Sequence, residues 1–465
     1  GQASGFRLQA SGRASEGTEA LVVVIGAGVA GLSAAVRLAE AGRRVLVLEA
    51  RPRLGGRATA FEDKATGALV DNGQHVMFGC YRETLDLLRT IGAEDNVRIQ
   101  PSLDVPFIDL RGRKTRLRCP DLPAPLHLFG GLVEWEALRW RDRWAAGRVW
   151  RAVGRHQGPG FGAQASSPSR ATASQGPVTV REWLVELRQS RRLRDMLWEP
   201  LAVAALNEPA DIASAEAFAE VLALMFADGA RNSAIVLPQA PLDQMYAEPA
   251  RAFIEAHGGE VRVNAPAKVL ADDSGVSGIK VGDETLTCRT VISTVPWNLF
   301  RMQFPSVPRP LQEIADAADR VVSRPIVTAN LWYDRLVTED EFVGLPNATI
   351  QWVFEKGSTA SHLSCIVSGA IQLVERSNDE MIAIARADVE ERLPRAGRAT
   401  FLRGLIVREK HATFSTAQPD IRRPSTVTPL PGFLLAGDWI DTGLPGTIEG
   451  AARSGRLAAD ACLNP

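Results

Sequence analysis

The sequence predicts an α/β fold: a discontinuous Rossmann-type dinucleotide-binding domain carrying a mixed α+β second domain. Three observations predict it. A short apolar run, Val22 to Ile25, leads straight into Gly26-Ala27-Gly28-Val29-Ala30-Gly31. A second run, Val45 to Leu48, ends on Glu49 and is followed by Leu54-Gly55-Gly56-Arg57. At the far end of the chain stand Leu434-Leu435-Ala436-Gly437-Asp438 and then Gly446-Thr447-Ile448-Glu449-Gly450-Ala451.

Each element follows from its residues. Val22 to Ile25 suits a buried parallel strand. Gly26 allows the tight turn, Gly28 lets the backbone approach a pyrophosphate, and Gly31 lets the next helix lie close to the strand. That helix, from about Gly28 to Ala41, aims its first N–H groups and its positive dipole end at phosphates. Gly42 closes it, and Val45 to Leu48 forms the second strand. Glu49 follows about 20 residues beyond the glycines, where a carboxylate accepts ribose hydroxyls and disfavours the 2′-phosphate of NADP. The C-terminal motif has the form that flavoproteins use to hold the other half of the dinucleotide. The two ends together indicate FAD.

Between the two motifs the pattern is mixed. Residues 71–88 read as a loop entering a helix, 110–118 as a strand of alternating apolar and basic residues, and 120–154 as helix rich in Trp and Arg. Residues 158–177 are dense in Gly, Ser, Ala and Pro and read as a flexible loop. Helical pattern returns over 180–227 with a break at Asn207-Glu208-Pro209. Strands are expected at 260–263, 267–270, 277–281, 290–294, 326–333, 350–354 and 365–369, and a helix at 379–393. The FAD-binding domain is therefore expected from 21–100, 230–300 and 425–463, with a substrate domain from 101–229 and 301–424. Residues 1–20, rich in Gly, Ser and Ala without an apolar stretch, are expected to be a disordered extension.

Composition narrows the function classes. At 465 residues with 45% hydrophobic content the chain can bury a large core, and two closely packed domains are expected. A net charge of -1 gives no sign of nucleic acid as a partner. The five cysteines are scattered and the six histidines show no metal-binding spacing, which argues against a disulfide framework or metal and suits a reducing cytoplasm. No segment reads as a transmembrane helix. No second GxGxxG unit offers a site for NAD(P)H, so the electron donor is unassigned.

These motifs resemble the flavin-dependent amine oxidase and phytoene desaturase superfamily. Within it they resemble the hydroxysqualene dehydroxylases, or squalene-associated FAD-dependent desaturases. Gly26-Ala27-Gly28, Glu49-Ala50-Arg51, Leu54-Gly55-Gly56-Arg57 and Gly437-Asp438 carry the wider resemblance. Asp71-Asn72-Gly73-Gln74-His75, Ala205-Leu206-Asn207 and the long run from Ala436 to Ala451 carry the narrower one. The resemblance implies an amine-oxidase-like fold and a map of FAD contacts. Gly26, Ala27, Gly28, Ala30 and Gly31 would line the pyrophosphate, and Glu49 the ribose, with Ala50, Arg51, Gly56 and Arg57 nearby. Val269 would meet adenine through its backbone, at the end of a strand pair spanning 262–270. Gly73, Gln74 and His75 would lie at the flavin. Gly437 and Asp438 would meet the pyrophosphate and ribityl chain, and Gly446, Thr447 and Ile448 would begin a helix facing the pyrimidine end. Thr447 stands where monoamine oxidases carry an aromatic cage residue, and Cys462 lies well past the flavin motif, so amine oxidation loses support.

The implied activity is reductive dehydroxylation of the long-chain isoprenoid hydroxysqualene to squalene, which would feed hopanoid or sterol synthesis. The alternatives are an FAD-dependent desaturase or oxidase of another isoprenoid or an amine, and a non-catalytic FAD-bearing scaffold of a lipid-synthesis complex. Two residues are candidate proton donors. His75 is either a donor in the flavin-side cavity, with a pKa near working pH, or a structural histidine bonded to loop backbone. Asp441 is either a donor with a pKa raised by burial or the cap of the following turn. Within 126–155, Trp140, Trp144, Arg148, Arg151 and Arg155 form one helical stripe, while Leu138, Ala145, Val149 and Val153 form another. The first stripe reads either as a peripheral contact with the inner face of the membrane or as a charged, solvated helix face.

Overall fold

The computed structural model describes residues 21–123, 126–156, 178–227, 229–418 and 420–464. The segments 1–20 and 158–177 therefore lie outside the described residues. A five-stranded parallel sheet has the order Glu260–Arg262, Val45–Leu48, Val22–Ile25, Thr290–Ser293, Phe433–Leu435. Its strands thus come from both ends and the middle of the chain. Val22–Ile25 lies at the centre, with Val45–Leu48 on one side and Thr290–Ser293 on the other. This is the switch point at which an open α/β sheet leaves a crevice beyond the carboxyl ends of its strands.

All eight residues of Val22–Ile25 and Val45–Leu48 are buried, as a sheet covered on both faces requires. Helix Val29–Glu40 runs back from Gly28 and lies against the C-terminal helix Ile448–Leu463. The two helices approach backbone to backbone. A Cβ on Gly455 would stand 2.3 Å from the Ala30 carbonyl oxygen, and the Ser33 hydroxyl donates to the Ala452 carbonyl at 2.9 Å.

The second region is built on a seven-stranded sheet. Its order is Phe401–Phe414, Ser323–Tyr333, His362–Ser368, Trp352–Glu355, Phe342–Gly344, Asp104–Ile108, Lys114–Arg118. Neighbours are antiparallel except Phe342–Gly344 against Asp104–Ile108, which is parallel. One face shares a core with helices from 126–226, where Val105, Phe107, Phe342 and Ile366 meet Trp135, Trp198 and Phe218. The other face is covered by helix Asn378–Arg392 through Met381, Ala385 and Val389.

The strand expected over 110–118 begins only at Lys114. The Asp109 carboxylate accepts N–H groups of Arg111 at 2.9 Å and Arg113 at 3.0 Å, so 109–113 form the turn joining it to Asp104–Ile108. The strand pair expected across 262–270 does not form. Glu260–Arg262 pairs with Val45–Leu48, whereas Ala267–Asp272 pairs with Gly275–Val281 in a separate three-stranded sheet. The break at Asn207-Glu208-Pro209 is present: helix Glu199–Leu206 ends on Asn207 in the left-handed region, φ 53°.

Candidate active site

The glycine turn shows why each glycine is needed. Gly26 has φ 100°, and a Cβ there would stand 2.4 Å from Thr294 Oγ1. A Cβ on Gly31 would stand 1.9 Å from the Gly26 carbonyl oxygen. Gly28 differs: its nearest obstacle would be Gly56 Cα at 3.8 Å, so the protein itself leaves the space beside it open. Gly56, at φ 59°, closes the other side.

Around this turn the separate motifs are joined by hydrogen bonds. The Ala27 N–H donates to Glu49 Oε2 and the Arg51 N–H to Glu49 Oε1, both at 2.9 Å. The Glu49 carboxylate is thereby fixed with lone pairs to spare for ribose hydroxyls. The Gly55 N–H donates to the Ala27 carbonyl at 2.8 Å, and the Tyr246 hydroxyl lies 2.8 Å from the Gly55 carbonyl oxygen. Arg57 reaches the C-terminal motif. It pairs with the Asp438 carboxylate, donates to the Ala412 carbonyl at 2.8 Å and lies over the Trp297 ring. Burial works against its charge, but the Asp438 carboxylate more than compensates and holds the guanidinium above its ordinary pKa.

At the other end Gly437 turns at φ 128°, with its N–H on the Ser454 hydroxyl at 2.7 Å. Thr447 begins the last helix, its hydroxyl accepting the Gly450 N–H at 3.0 Å. Within the same first turn, buried Glu449 accepts the N–H groups of Glu83 and Thr84, each at 3.0 Å, and the Thr84 hydroxyl at 2.8 Å. It thus caps helix Arg82–Thr90, whose preceding residue, Tyr81, reaches the site. Sequence reading placed Glu449 in the flavin motif but gave it no such role.

These residues line one cavity of about 690 Å³. Gly26, Gly28, Ala30, Glu49, Ala50, Arg51, Gly56, Arg57, Gly73, Gln74, His75, Gly437, Asp438, Gly446, Thr447 and Ile448 all border it. Ala27, Gly31 and Val269 do not: Ala27 and Gly31 act from behind the turn. Val269 is buried opposite Ile279, and its neighbours Ala267 and Lys268 border the cavity instead. Asp441 does not reach the cavity either. It is exposed, accepts the Gly443 N–H at 3.3 Å and lies 3.4 Å from Arg423, so it caps its turn and is dropped as a proton donor.

Segment 72–78 joins the two halves of the cavity. The Asn72 amide donates to the Arg57 carbonyl at 2.6 Å and accepts the Thr59 N–H at 3.2 Å, while Val76 and Phe78 pack on the helical core. Between them, Gln74 Oε1 is buried without a partner and His75 borders the cavity. The pKa expected for His75 is corrected here: burial pushes the imidazole down to about 4, despite a bond to Arg57 backbone. It is neutral at pH 7. Beyond it the lining is apolar, with Val105, Phe107, Leu132, Phe226, Phe342 and Phe354 among the side chains. Among the described residues, every Asp, Glu, Lys or Arg that borders the cavity lies in the dinucleotide half: Glu49, Arg51, Arg57, Lys268, Glu409 and Asp438.

A dinucleotide fits the polar half. The space beside Gly28 has no close obstacle, Glu49 waits with open lone pairs, and Gln303, which borders the cavity, has a buried Nε2 without a partner. The family described as flavin containing amine oxidoreductase matches residues 29–463. The chain belongs to that family. It is an FAD-dependent oxidoreductase, and its cofactor is FAD. Among its relatives, the hydroxysqualene dehydroxylase of Rhodopseudomonas palustris is 30% identical over 95% of this chain and 98% of its own. The 15-cis-phytoene desaturase of Synechococcus elongatus is 26% identical over 95% of each. An oxidoreductase from Methanosarcina mazei shares the fold of this family member at TM-score 0.72 and 18% identity, over 95% of this chain and 100% of that one.

Proposed function

We propose that this flavoenzyme removes the allylic hydroxyl of hydroxysqualene reductively to give squalene, with residues 21–100, 230–300 and 425–463 as the cofactor domain and 101–229 and 301–424 as the substrate domain. The observation that carries the reading is the inner half of the cavity, whose lining holds no Asp, Glu, Lys or Arg among the described residues. Such a wall gains by covering hydrocarbon and offers a cationic amine no counter-ion. The relatives named hydroxysqualene dehydroxylase support the choice of substrate.

The reaction balances as one proton and one hydride added to the alcohol, with water leaving. The proton goes to the hydroxyl oxygen, the C–O electron pair departs with water, and the hydride closes the delocalised allylic cation. Bound FAD, once reduced, supplies the hydride. The chain supplies the rest. The apolar wall holds the hydrocarbon and excludes bulk water, and the unpaired Gln74 Oε1 accepts the substrate hydroxyl at the junction of the two halves. His75, next along, is the proposed proton donor. It is neutral in the protein alone, and anionic charge placed beside it would raise its pKa and favour the protonated donor. The FAD contacts proposed are the residues bordering the polar half, with the backbone at 267–269 toward adenine.

The test is a single turnover. Anaerobically reduced enzyme mixed with hydroxysqualene should reoxidise its flavin and yield one squalene per flavin. A flavin that stays reduced overturns the reading. A second reading, desaturation of another long isoprenoid, rests on the relatives named phytoene desaturase. It requires the opposite electron flow: oxidised enzyme bleached by a phytoene-type substrate.

A further inference from the structure

Five large apolar side chains stand in water along one stretch of the helical region: Leu122, Leu126, Val133, Trp140 and Trp144. Trp140 is 63% exposed and Trp144 is 79% exposed, unusual for the residue type that buries the most apolar surface. They are brought together by close packing. A Cβ on Gly130 would stand 3.7 Å from Leu122, and one on Gly147 would stand 3.6 Å from Phe129, so helix Leu126–Glu134 lies against both Leu122 and helix Trp140–His156. Trp140 and Trp144 are one helical turn apart and share a face with exposed Arg141, Arg148 and Arg151. Arg143 lies 4.9 Å from the Trp140 ring centre.

Helix Leu126–Glu134 has two apolar faces. Leu126 and Val133 point to water, whereas Leu128 and Leu132 border the cavity. A helix of a water-soluble enzyme needs only one such face. The other needs a partner, and the arginines beside the tryptophans say which: apolar and aromatic side chains flanked by cations match the boundary between acyl chains and anionic headgroups.

We propose that this face, Leu122, Leu126, Val133, Trp140 and Trp144 with Arg141, Arg148 and Arg151, docks on an anionic lipid bilayer. Helix Leu126–Glu134 then stands as the partition between the bilayer and the substrate cavity. A hydrocarbon substrate crosses from acyl chains to the apolar wall without passing through water. The role in substrate entry rests on the proposed function; the docking itself does not.

The test uses the full FAD-loaded protein and vesicles of phosphatidylcholine with or without phosphatidylglycerol, read by co-sedimentation. Binding is expected to the anionic vesicles and to weaken with salt. The double substitution Trp140→Ser/Trp144→Ser and, independently, Arg148→Glu/Arg151→Glu should each weaken it about tenfold or more while FAD content stays at the parent level. Turnover of hydroxysqualene should fall in both variants when the substrate is supplied in vesicles and not when it is supplied in detergent. Failure of the parent to bind anionic vesicles overturns the proposal, as does unchanged binding by both variants. A parent that is a dimer in solution and a tryptophan variant that is a monomer would assign the face to a second copy and overturn it too. If vesicles bind but hydroxysqualene is not turned over, the docking stands and the substrate assignment falls.

Discussion

Gly28 has φ -80° and ψ -176°, backbone that any residue adopts, and its nearest obstacle would be 3.8 Å away. The protein itself therefore tolerates a side chain there, and a pyrophosphate at the proposed position would not. Gly28→Val should therefore fold with the parent's circular dichroism yet emerge colourless and resist reconstitution with FAD. A yellow Gly28→Val protein would show that the pyrophosphate lies elsewhere. Gly31→Val, with its Cβ driven into the Gly26 carbonyl, should instead fail to fold. His75 yields a prediction with a definite sign. Its pKa falls from 6.5 to about 4 on folding, so between those values the unfolded chain binds more protons. Stability is then complete above pH 6.5 and declines as pH falls toward 4. His75→Gln removes this contribution, and in FAD-stripped protein its melting temperature should drop less than the stripped parent's between pH 7 and pH 4. The same variant should keep FAD but lose turnover on the order of 10²-fold or more. Near-normal turnover would remove His75 as the donor.

At the scale of elements, the helical region is tied to the seven-stranded sheet through the break after helix Glu199–Leu206. Asn207 donates to the Arg324 carbonyl at 3.0 Å and accepts the Gly369 N–H at 2.6 Å. Glu208, fully buried, pairs with Arg324 at 2.6 Å and accepts the Thr416 N–H at 2.9 Å. Glu208→Gln leaves the largely covered Arg324 without its counter-ion and should cost about 3 to 5 kcal/mol in denaturant unfolding. A loss below about 1 kcal/mol, the worth of an exposed pair, would show that water reaches Arg324. The helix crossing at Gly455 makes a parallel case. Gly455→Ala should push helix Ile448–Leu463 off helix Val29–Glu40, costing about 1 to 3 kcal/mol and weakening FAD, since Gly446 and Thr447 move with it. Unchanged FAD affinity would separate that helix from the cofactor.

For the whole molecule, the cofactor is a joint. The residues bordering its proposed half of the cavity come from 25–75, 265–303, 409–413 and 437–451, so a dinucleotide there would tie distant segments together. Binding to the folded state alone stabilises by about 2.7 kcal/mol at a hundredfold excess over Kd. Stripped protein should therefore melt well below the FAD-loaded form and recover on adding FAD, whereas adding FMN, which lacks the adenylate, should recover less. Equal recovery by both would mean that the Gly28 and Glu49 end contributes little.

What the sequence determined by itself was local. Val22 to Ile25, the glycines after it and Glu49 carry their geometry in residues close together, where strand period, turn and helix start are all legible. The helix expected at 379–393 appears as Asn378–Arg392 for the same reason, since its cap and its periodicity lie within one segment. Strand Phe401–Phe414, absent from the sequence reading, is half-buried along most of its length, and its pairing with Ser323–Tyr333 supplies an order that no period-2 pattern announces. Only the tertiary structure decided which residues share the cavity. Arg57 finds Asp438 across most of the chain, Glu449 caps a helix that starts at Arg82, and Asp441, three residues from Asp438, turns away to solvent. The physical reason is that a hydrogen bond or a buried charge depends on distance and water, and neither is written along a chain until distant segments are brought together.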